Sequence, residues 1–215
     1  MSLLAEEQAY RTIKDMILRA ELPPGARLVH RKLAAELGMS PIPVVLALRL
    51  LEQDGLVANV PGLGARVRSW NRAELADLYG IRAVHESYAA RLCAERSTRV
   101  DLAQIEMANE LYIECWNSGN RPAAIEADVQ FHRALVRGAH CAYLENLLEN
   151  LSIIQLSMNM LVLKTRMTVT PTKVTPLMLH IPLVEALKKH DTKTAETLAR
   201  EHVLEGLDET LNSFQ

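Results

Sequence analysis

The sequence predicts a mainly α-helical protein in two parts, a small head of three helices and one hairpin and an all-helical body of about six helices. Apolar residues recur at helical spacing through most of the 215 residues, and the β-leaning runs fall within residues 56–68. From residue 71 onward only helical periodicity remains. We therefore expect a head over residues 1–70 and a body over residues 71–215, each with apolar residues for a core.

The first two helices of the head have clear ends. Apolar positions at helical spacing predict a first helix that stops before the breaker Leu-Pro-Pro-Gly at 22–25. A short second helix over residues 31–37 should end at Gly38, because glycine readily adopts the left-handed conformation of a helix C-terminus.

The third helix and the hairpin complete the head. Ser40 can cap a helix from Pro41 to about residue 54, since proline at the first helical position loses no intrahelical bond. Two β-leaning runs joined by the Pro-Gly-Leu-Gly stretch at 61–64 then predict a hairpin. Three helices followed by a hairpin predict a winged helix-turn-helix.

Breakers divide the body into about six predicted helices. The fourth is apolar nearly all round between Leu144 and Leu163, which is typical of the central helix of a bundle. The predicted ranges are roughly 71–96, 101–117, 121–138, 141–164, 174–190 and 192–212.

Charge is distributed unequally between the two parts. The chain has 24 Lys and Arg and 26 Asp and Glu; residues 1–70 hold nine against seven, about +2, which leaves 15 against 19, about −4, for the body. This is the sign expected of a DNA-binding head on an acidic body.

No signal peptide and no apolar run of 18 residues is evident, so we expect a cytoplasmic protein without a membrane segment. Three cysteines without a C-x-x-C pair indicate reduced thiols.

The whole chain resembles a known family of regulators. The body resembles the helical ligand-binding domain of the FadR subgroup, often called FCD, at Arg82-(x)3-Glu86, Asp128-(x)3-His132, His180 and His202. The head resembles that of GntR-family regulators in the pattern Ile17-(x)4-Leu22-Pro23-Pro24-Gly25-(x)2-Leu28, Leu33-Ala34-(x)2-Leu37-Gly38-Met39-Ser40, Pro43-Val44 and Ala47-Leu48-(x)2-Leu51-(x)3-Gly55-Leu56-Val57.

The resemblance implies a metal site in the body. In this family an Asp and three His bind a divalent ion, typically zinc, nickel or manganese, which helps to capture a small carboxylate effector; the matching residues are Asp128, His132, His180 and His202. The residues themselves agree with this ligand set. Asp128 and His132 share one helix face, and helices joined near residues 190–191 can bring His180 and His202 to the same level. Three imidazoles and one carboxylate suit a first-row metal better than Mg²⁺ or Ca²⁺.

Two features near this site have alternative interpretations. Arg82 is a candidate second anchor for the carboxylate of the effector, or it simply pairs with Glu86 on the helix surface. Pro182 follows His180 by two residues. This proline kinks the fifth body helix if that helix already runs through Met178, and is harmless if the helix begins near Ile181.

The head departs from its family at the DNA-reading positions. The usual start of the recognition helix, Ser-Arg-Thr-Pro-Val-Arg-Glu-Ala-Leu, is here Ser-Pro-Ile-Pro-Val-Val-Leu-Ala-Leu from residue 40, so Pro41 and Val45 replace arginines. Leu63 stands at the wing tip where a basic residue is usual. The polar residues left as candidate DNA contacts are Arg31, Lys32, Ser40, Arg49 and Arg66.

The leading functional hypothesis is a DNA-binding transcription regulator, expected to be a homodimer on a palindromic operator and to respond to a small organic acid. Its apolar recognition helix, with Ile42, Val45 and Leu46, either touches thymine methyl groups in an A·T-rich operator or contacts a protein surface in a head that no longer binds DNA. The rival class is a helical metal-dependent enzyme, but the sequence has no H-E-x-x-H, G-x-S-x-G or phosphate-loop motif.

Overall fold

Residues 2–148 and 180–213 are described in the computed structural model, and the chain divides into two compact units, Met1–Trp70 and Asn71–Gln215. The first unit contains three helices and one two-stranded antiparallel sheet, in the predicted order. Its elements are α1 (Ser2–Leu18), α2 (His30–Glu36), α3 (Pro41–Gln53), β1 (Val57–Val60) and β2 (Gly64–Val67).

The head is built around a core between α1 and α3. Ile13, Val44 and Leu51 are fully buried there. The hairpin pairs Val57 with Val67 and Val60 with Gly64, and the segment before α2 runs beside β2, because the Leu28 N–H donates to the Ala65 carbonyl at 2.8 Å. Strand β2 is thereby hydrogen-bonded along both of its edges, to β1 on one side and to the segment before α2 on the other.

The ends of the head helices follow the predictions with one exception. Gly38 has φ +64° just beyond α2, in the left-handed region that favours glycine. Ser40 stands at the N-cap of α3 as predicted, but its side chain makes no capping hydrogen bond. A capping oxygen accepts from the second or third N–H of a helix; the third residue, Pro43, has none, and the hydroxyl makes no bond to the remaining Ile42 N–H. The predicted side-chain cap is therefore wrong.

The second unit is helical in all its described elements. Capping boxes begin its first two helices: Asn71 with Glu74, and Thr98 with Asp101. The second helix starts two residues earlier than predicted, because Asp101 is its third residue rather than its first. The helices are α4 (Arg72–Arg96), α5 (Arg99–Asn117), α6 (Arg121–Gly138), α7 (His180–Lys188) and α8 (Thr192–Ser213).

The predicted central helix of the bundle is described only in part. Residues 142–148 are helical, with Leu144 and Leu148 buried, and the remainder of the predicted 141–164 helix lies outside the described residues. Met178 also lies outside them, so the continuation of α7 toward it remains a prediction. Pro182 is the third residue of α7 as described.

Helices α4 and α6 approach closely at Gly138. A Cβ there would lie 2.8 Å from the Cys93 sulfur, so a larger residue would force the two helices apart.

The three cysteines are free thiols, and burial raises the pKa of Cys93 to about 12. Cys93 is therefore an unreactive core residue, as expected from the sequence.

Among the described residues, no single helix combines the length and apolar character needed to cross a membrane. Helices α2 and α3 meet the length and composition test only as a pair bent by 114°.

Candidate metal centre and nucleic-acid interface

Three helices of the body bring the four predicted ligands together. Helix α6 carries Asp128 and His132 one turn apart, α7 carries His180 and α8 carries His202. The Nε2 atom of His202 lies 3.0 Å from Nε2 of His180 and 3.1 Å from Nε2 of His132. Oδ1 of Asp128 lies 3.5 Å from Nε2 of His180 and 3.8 Å from Nε2 of His132. One donor atom from each residue thus lies within 4.8 Å of all the others.

The turn between α7 and α8 sets the level of two of these histidines. His190 has φ +54°, in the left-handed region, and its Nδ1 lies 2.8 Å from the Ala94 carbonyl oxygen of α4. The side-chain contact ties the turn to the bundle and offsets part of the strain of a non-glycine residue there. His180 and His202 consequently face each other, as the sequence predicted.

A buried ion pair supports His132 from behind. Glu86 Oε2 lies 2.7 Å from His132 Nδ1, and Arg82 Nε donates to Glu86 Oε1 at 2.7 Å. Arg82 does pair with Glu86, but it is only 2% exposed, so the interpretation that this pair lies on the helix surface is wrong. The contact is an ion pair outside hydrogen-bond geometry; its negative charge favours a proton on Nδ1, which leaves Nε2 as the nitrogen that faces the cluster.

Burial and the neighbouring charges shift the pKa values of the cluster in opposite directions. Burial lowers the pKa of His202 to about 3 and holds the pKa of His180 well below its usual value. Burial would also lower the pKa of His132, but the Glu86 carboxylate outweighs this and raises it. Burial raises the pKa of Asp128. Two of the three imidazoles are therefore neutral at physiological pH, which is the form that binds a metal.

Aromatic side chains form the wall behind His180. The Phe131 ring stacks on it with centroids 3.9 Å apart and planes 22° apart, and the Tyr112 ring centroid lies 5.1 Å away. Within the described part of the chain, the buried Nδ1 of His180 has no hydrogen-bond partner. The stacking on Phe131 and the contact of Nε2 with His202 thus hold this ring in place.

The donor set fits a divalent first-row metal. Three Nε2 atoms and one carboxylate oxygen converge, and two imidazole lone pairs about 3.0 Å apart repel each other unless a proton or a cation lies between them. Donors at right angles around an ion at about 2.1 Å would also be about 3.0 Å apart. The four residues can therefore hold a metal ion, and this chemistry does not favour Mg²⁺ or Ca²⁺.

The candidate DNA contacts of the head are not equivalent. Arg31, Lys32, Ser40 and Arg49 have exposed side chains. Arg66 instead donates through Nη1 to the Gly25 carbonyl at 2.9 Å, and its Nε is buried without a partner. Arg66 is thus engaged in holding the strand beside the loop, which the sequence did not indicate.

Two neighbouring clefts lie along the recognition helix of the head and share His30 and Val45. The larger, of about 450 Å³, lies between α3, the start of α2 and the hairpin. The smaller one is lined by His30, Arg31, Pro41, Ile42, Val45 and Leu46. Apolar side chains therefore form the floor of the surface that a winged helix presents to DNA, and arginines lie beside them.

Sequence reasoning missed the support that Glu86 gives to His132, although a signal was present. Apolar residues of α4 recur at positions such as Leu75, Leu78 and Tyr79, and continuing this spacing places Arg82 and Glu86 on the same buried face. Charged residues on a buried helix face are rare unless they are paired. The periodicity could therefore have identified a buried pair.

Comparisons with known proteins assign the chain to a family. Residues 77–205 match the family model described as FCD domain, and residues 5–67 match the one described as bacterial regulatory proteins, gntR family. The chain therefore belongs to the GntR-family transcriptional regulators with a C-terminal FCD domain, and the predicted family and fold class are confirmed.

Relatives and solved structures give the same assignment. The chain is 30% identical over 203 residues, 92% of its length and 84% of the relative's, to a probable D-xylose utilization operon transcriptional repressor of Paenarthrobacter nicotinovorans. It is 30% identical over 146 residues, 67% of its length and 65% of the relative's, to the uncharacterized HTH-type transcriptional regulator YdhC of Bacillus subtilis.

The fold is shared with solved regulators at low identity. Escherichia coli McbR/YncC matches with a TM-score of 0.82 at 22% identity, covering 98% of this chain and 99% of that one. A putative transcriptional regulator GntR from Rhodococcus sp. RHA1 matches with a TM-score of 0.78 at 22% identity and the same coverage. The relatives cited are named transcriptional regulators, so the chain belongs to a class of regulators and not of enzymes.

Proposed function

We propose that this chain is a metal-containing, effector-responsive transcription regulator of the FadR subgroup. Residues 1–70 form the DNA-binding head, and residues 71–215 form a sensor body that binds a divalent metal and a small carboxylate. The single observation that carries the proposal is the convergence of Asp128, His132, His180 and His202, whose donor atoms lie within 4.8 Å of one another. Zinc, nickel and manganese are the candidate metals.

The ligand count favours effector capture by the same site. An ion held by these four residues would supply Lewis-acid positions for the two oxygens of an organic carboxylate. His132 keeps its donor nitrogen directed at the site because Glu86 contacts its other nitrogen at 2.7 Å. Arg82 is our candidate for an additional positive charge near the effector. Because Arg82 is buried against Glu86, it would attract the carboxylate of the effector as a buried charge and not as an exposed side chain.

The head supplies the DNA-binding surface of the regulator. Exposed Arg31, Lys32 and Arg49 supply positive charge for phosphates, and Ser40 supplies a hydroxyl that is not used in capping. A homodimer follows if the operator is palindromic, because two heads related by a twofold axis match two half-sites. Effector binding would then act by favouring one arrangement of the two heads over another.

Metal analysis of the purified full-length protein tests the sensor part of the proposal. We expect about one zinc, nickel or manganese ion per chain, removed by a chelator. In a thermal-shift screen with acetate, lactate, succinate and citrate, at least one acid should raise the melting temperature of the metal-loaded protein and not of the stripped protein. D-xylose, a small polar compound without a carboxylate, is included as a comparison ligand in the same screen.

The outcomes separate the parts of this proposal. Metal without any carboxylate effect would refute the effector part, and a chain that takes up no ion from any of the three metals would refute the site. Turnover of an acid by the loaded protein would contradict the regulator and favour a helical metal-dependent enzyme. Sedimentation analysis checks the dimer.

A second candidate function is supported by the composition of the recognition helix. Pro41, Val45 and Leu63 occupy positions at which the family resemblance implies basic residues, so the same architecture could bind metal and effector with lost or altered DNA binding. Retention of the protein on DNA of random sequence at low salt, and its release at high salt, would exclude a complete loss.

A further inference from the structure

The first turn of α3 presents an apolar side chain where related folds read bases. Ile42 is the second residue of the helix and is 70% exposed. Val45 and Leu46, one turn later, are half-buried and line the cleft beside it. The N-terminal residues of a recognition helix are those that contact base edges in the major groove, so Ile42 holds the base-contacting position and Val45 and Leu46 form its apolar base.

The same turn has few groups for reading bases by hydrogen bonds. Pro41 and Pro43 have no N–H, and no side chain from residues 41 to 48 has a donor or acceptor. Among base edges in the major groove, the thymine methyl is the apolar feature, and side chains contact it without hydrogen bonds. We infer that Ile42, supported by Val45 and Leu46, selects operator half-sites by contact with thymine methyl groups. This rests on the proposed DNA-binding function and names its specificity.

The charges around the clefts favour DNA over a protein partner. Arg27, Arg31 and Arg49 are exposed and line the same two clefts, and one lining residue, Glu52, is acidic. Exposed arginines at the edge of an apolar strip match a duplex, whose phosphates flank the methyl groups of the groove. The guanidinium groups then supply affinity that does not depend on sequence, and Ile42 supplies the discrimination.

The test uses a base change that removes only the methyl group. The full-length protein, with its metal as purified, first selects binding sites from a randomised duplex library at low salt. Each thymine of the selected half-site is then replaced in turn by deoxyuridine, which keeps every hydrogen-bonding group. We expect about fourfold weaker binding for each contacted thymine, the loss associated with exposing one methyl group.

An Ile42→Ala variant identifies the residue responsible. Because Ile42 is exposed, the variant should fold, and it should bind thymine and uracil duplexes nearly equally. Met107→Ala, an apolar exposed residue of α5, is the matched control and should keep the fourfold difference. Arg49→Ala should weaken binding to both duplexes to the same extent.

Each result decides a separate point. Equal affinity of the wild-type protein for thymine and uracil sites would overturn the inference and leave DNA binding intact. A difference that persists in Ile42→Ala would overturn the role of this residue. Failure to retain any duplex would overturn both the inference and the proposed DNA-binding function, and would favour a protein partner for the apolar surface.

Discussion

The head and the body differ in how far their residues agree with the expectations that the family resemblance raised. In the body, four metal-binding residue types stand at the matching positions, and their donor atoms converge with Nε2 separations of 3.0 and 3.1 Å. In the head, the expected helices and hairpin form, while Pro41 and Val45 stand where the resemblance leads us to expect arginines. Buried side chains such as His132 and His180 are fixed by the packing around them, whereas exposed side chains such as Ile42 are free of it.

The largest expected effect is loss of the metal on His132→Ala. This change removes one donor, empties space beside Glu86 and leaves that carboxylate without its imidazole partner. We expect metal affinity to fall by more than the roughly 10–100-fold typical of losing a group that only orients a ligand. Metal content by mass spectrometry measures it, and His85→Ala, whose ring contacts a backbone carbonyl on α4, is the control. Full metal content in His132→Ala would mean that the body, like the head, lacks the binding site expected of it.

A smaller effect is expected for Glu86→Gln. Neutral glutamine leaves Arg82 as a buried cation without its anionic partner, and breaking such a pair costs about 3–5 kcal/mol of folding free energy. Metal affinity should also fall by about 10–100-fold, because the contact that orients His132 weakens. Urea unfolding and metal titration measure the two effects. Glu95→Gln, on the exposed face of the same helix, should change neither.

The next effect concerns the head. Replacing Pro41 and Val45 together by arginine should strengthen DNA binding by about 1–3 kcal/mol for each residue that reaches a guanine. Each new phosphate contact should instead steepen the salt dependence by about 0.9 in log–log slope. Fluorescence anisotropy at several salt concentrations measures both. Met107→Arg adds charge to the body and should leave DNA affinity unchanged; no gain in the double variant would mean that this face does not meet DNA.

The smallest effect is the response of the metal-free body to acid. Burial lowers the pKa of His202 to about 3, so its stabilising contribution is present above the unfolded value of about 6.5 and is lost as the pH falls. His202→Gln removes this contribution. Lowering the pH from 7.5 to 5.5 should therefore reduce the free energy of unfolding of the variant by about 1 kcal/mol less than that of the wild-type protein. Urea unfolding in the presence of a chelator, at both pH values, measures the difference. Identical pH dependence would mean that this imidazole is accessible to protons.

The sequence predicted elements wherever local chemistry decides the structure. Gly38 adopts the positive φ that was expected of it, and the hairpin forms where β-leaning runs flank glycines. Ser40 makes no side-chain cap, and Pro43 removes one of the two N–H groups that a capping oxygen can accept from. Residues 149–179 lie outside the described part of the chain, so most of the predicted central helix remains a prediction.

The candidate site was predictable in its ligands and less so in its surroundings. The resemblance to the family pointed to His132, His180 and His202, and the spacing along their helices agreed with it, because that spacing is a local regularity. The positions of Arg82 and Arg66 depend on tertiary packing: one is buried against Glu86, and the other is bound to the Gly25 carbonyl. Spacing along one helix carries no information on what the neighbouring helix or loop places opposite.

The His190 turn has a consequence for how this protein can change in evolution. His180 and His202 lie on opposite sides of a turn that the Ala94 carbonyl holds in place. One residue inserted between the turn and either histidine would rotate that side chain about 100° around its helix and shift it about 1.5 Å along the axis. Both helices would still form, but the ligand would leave the cluster. We therefore expect insertions and deletions in functional relatives to avoid the segment between these two histidines, while substitutions on its exposed face are tolerated.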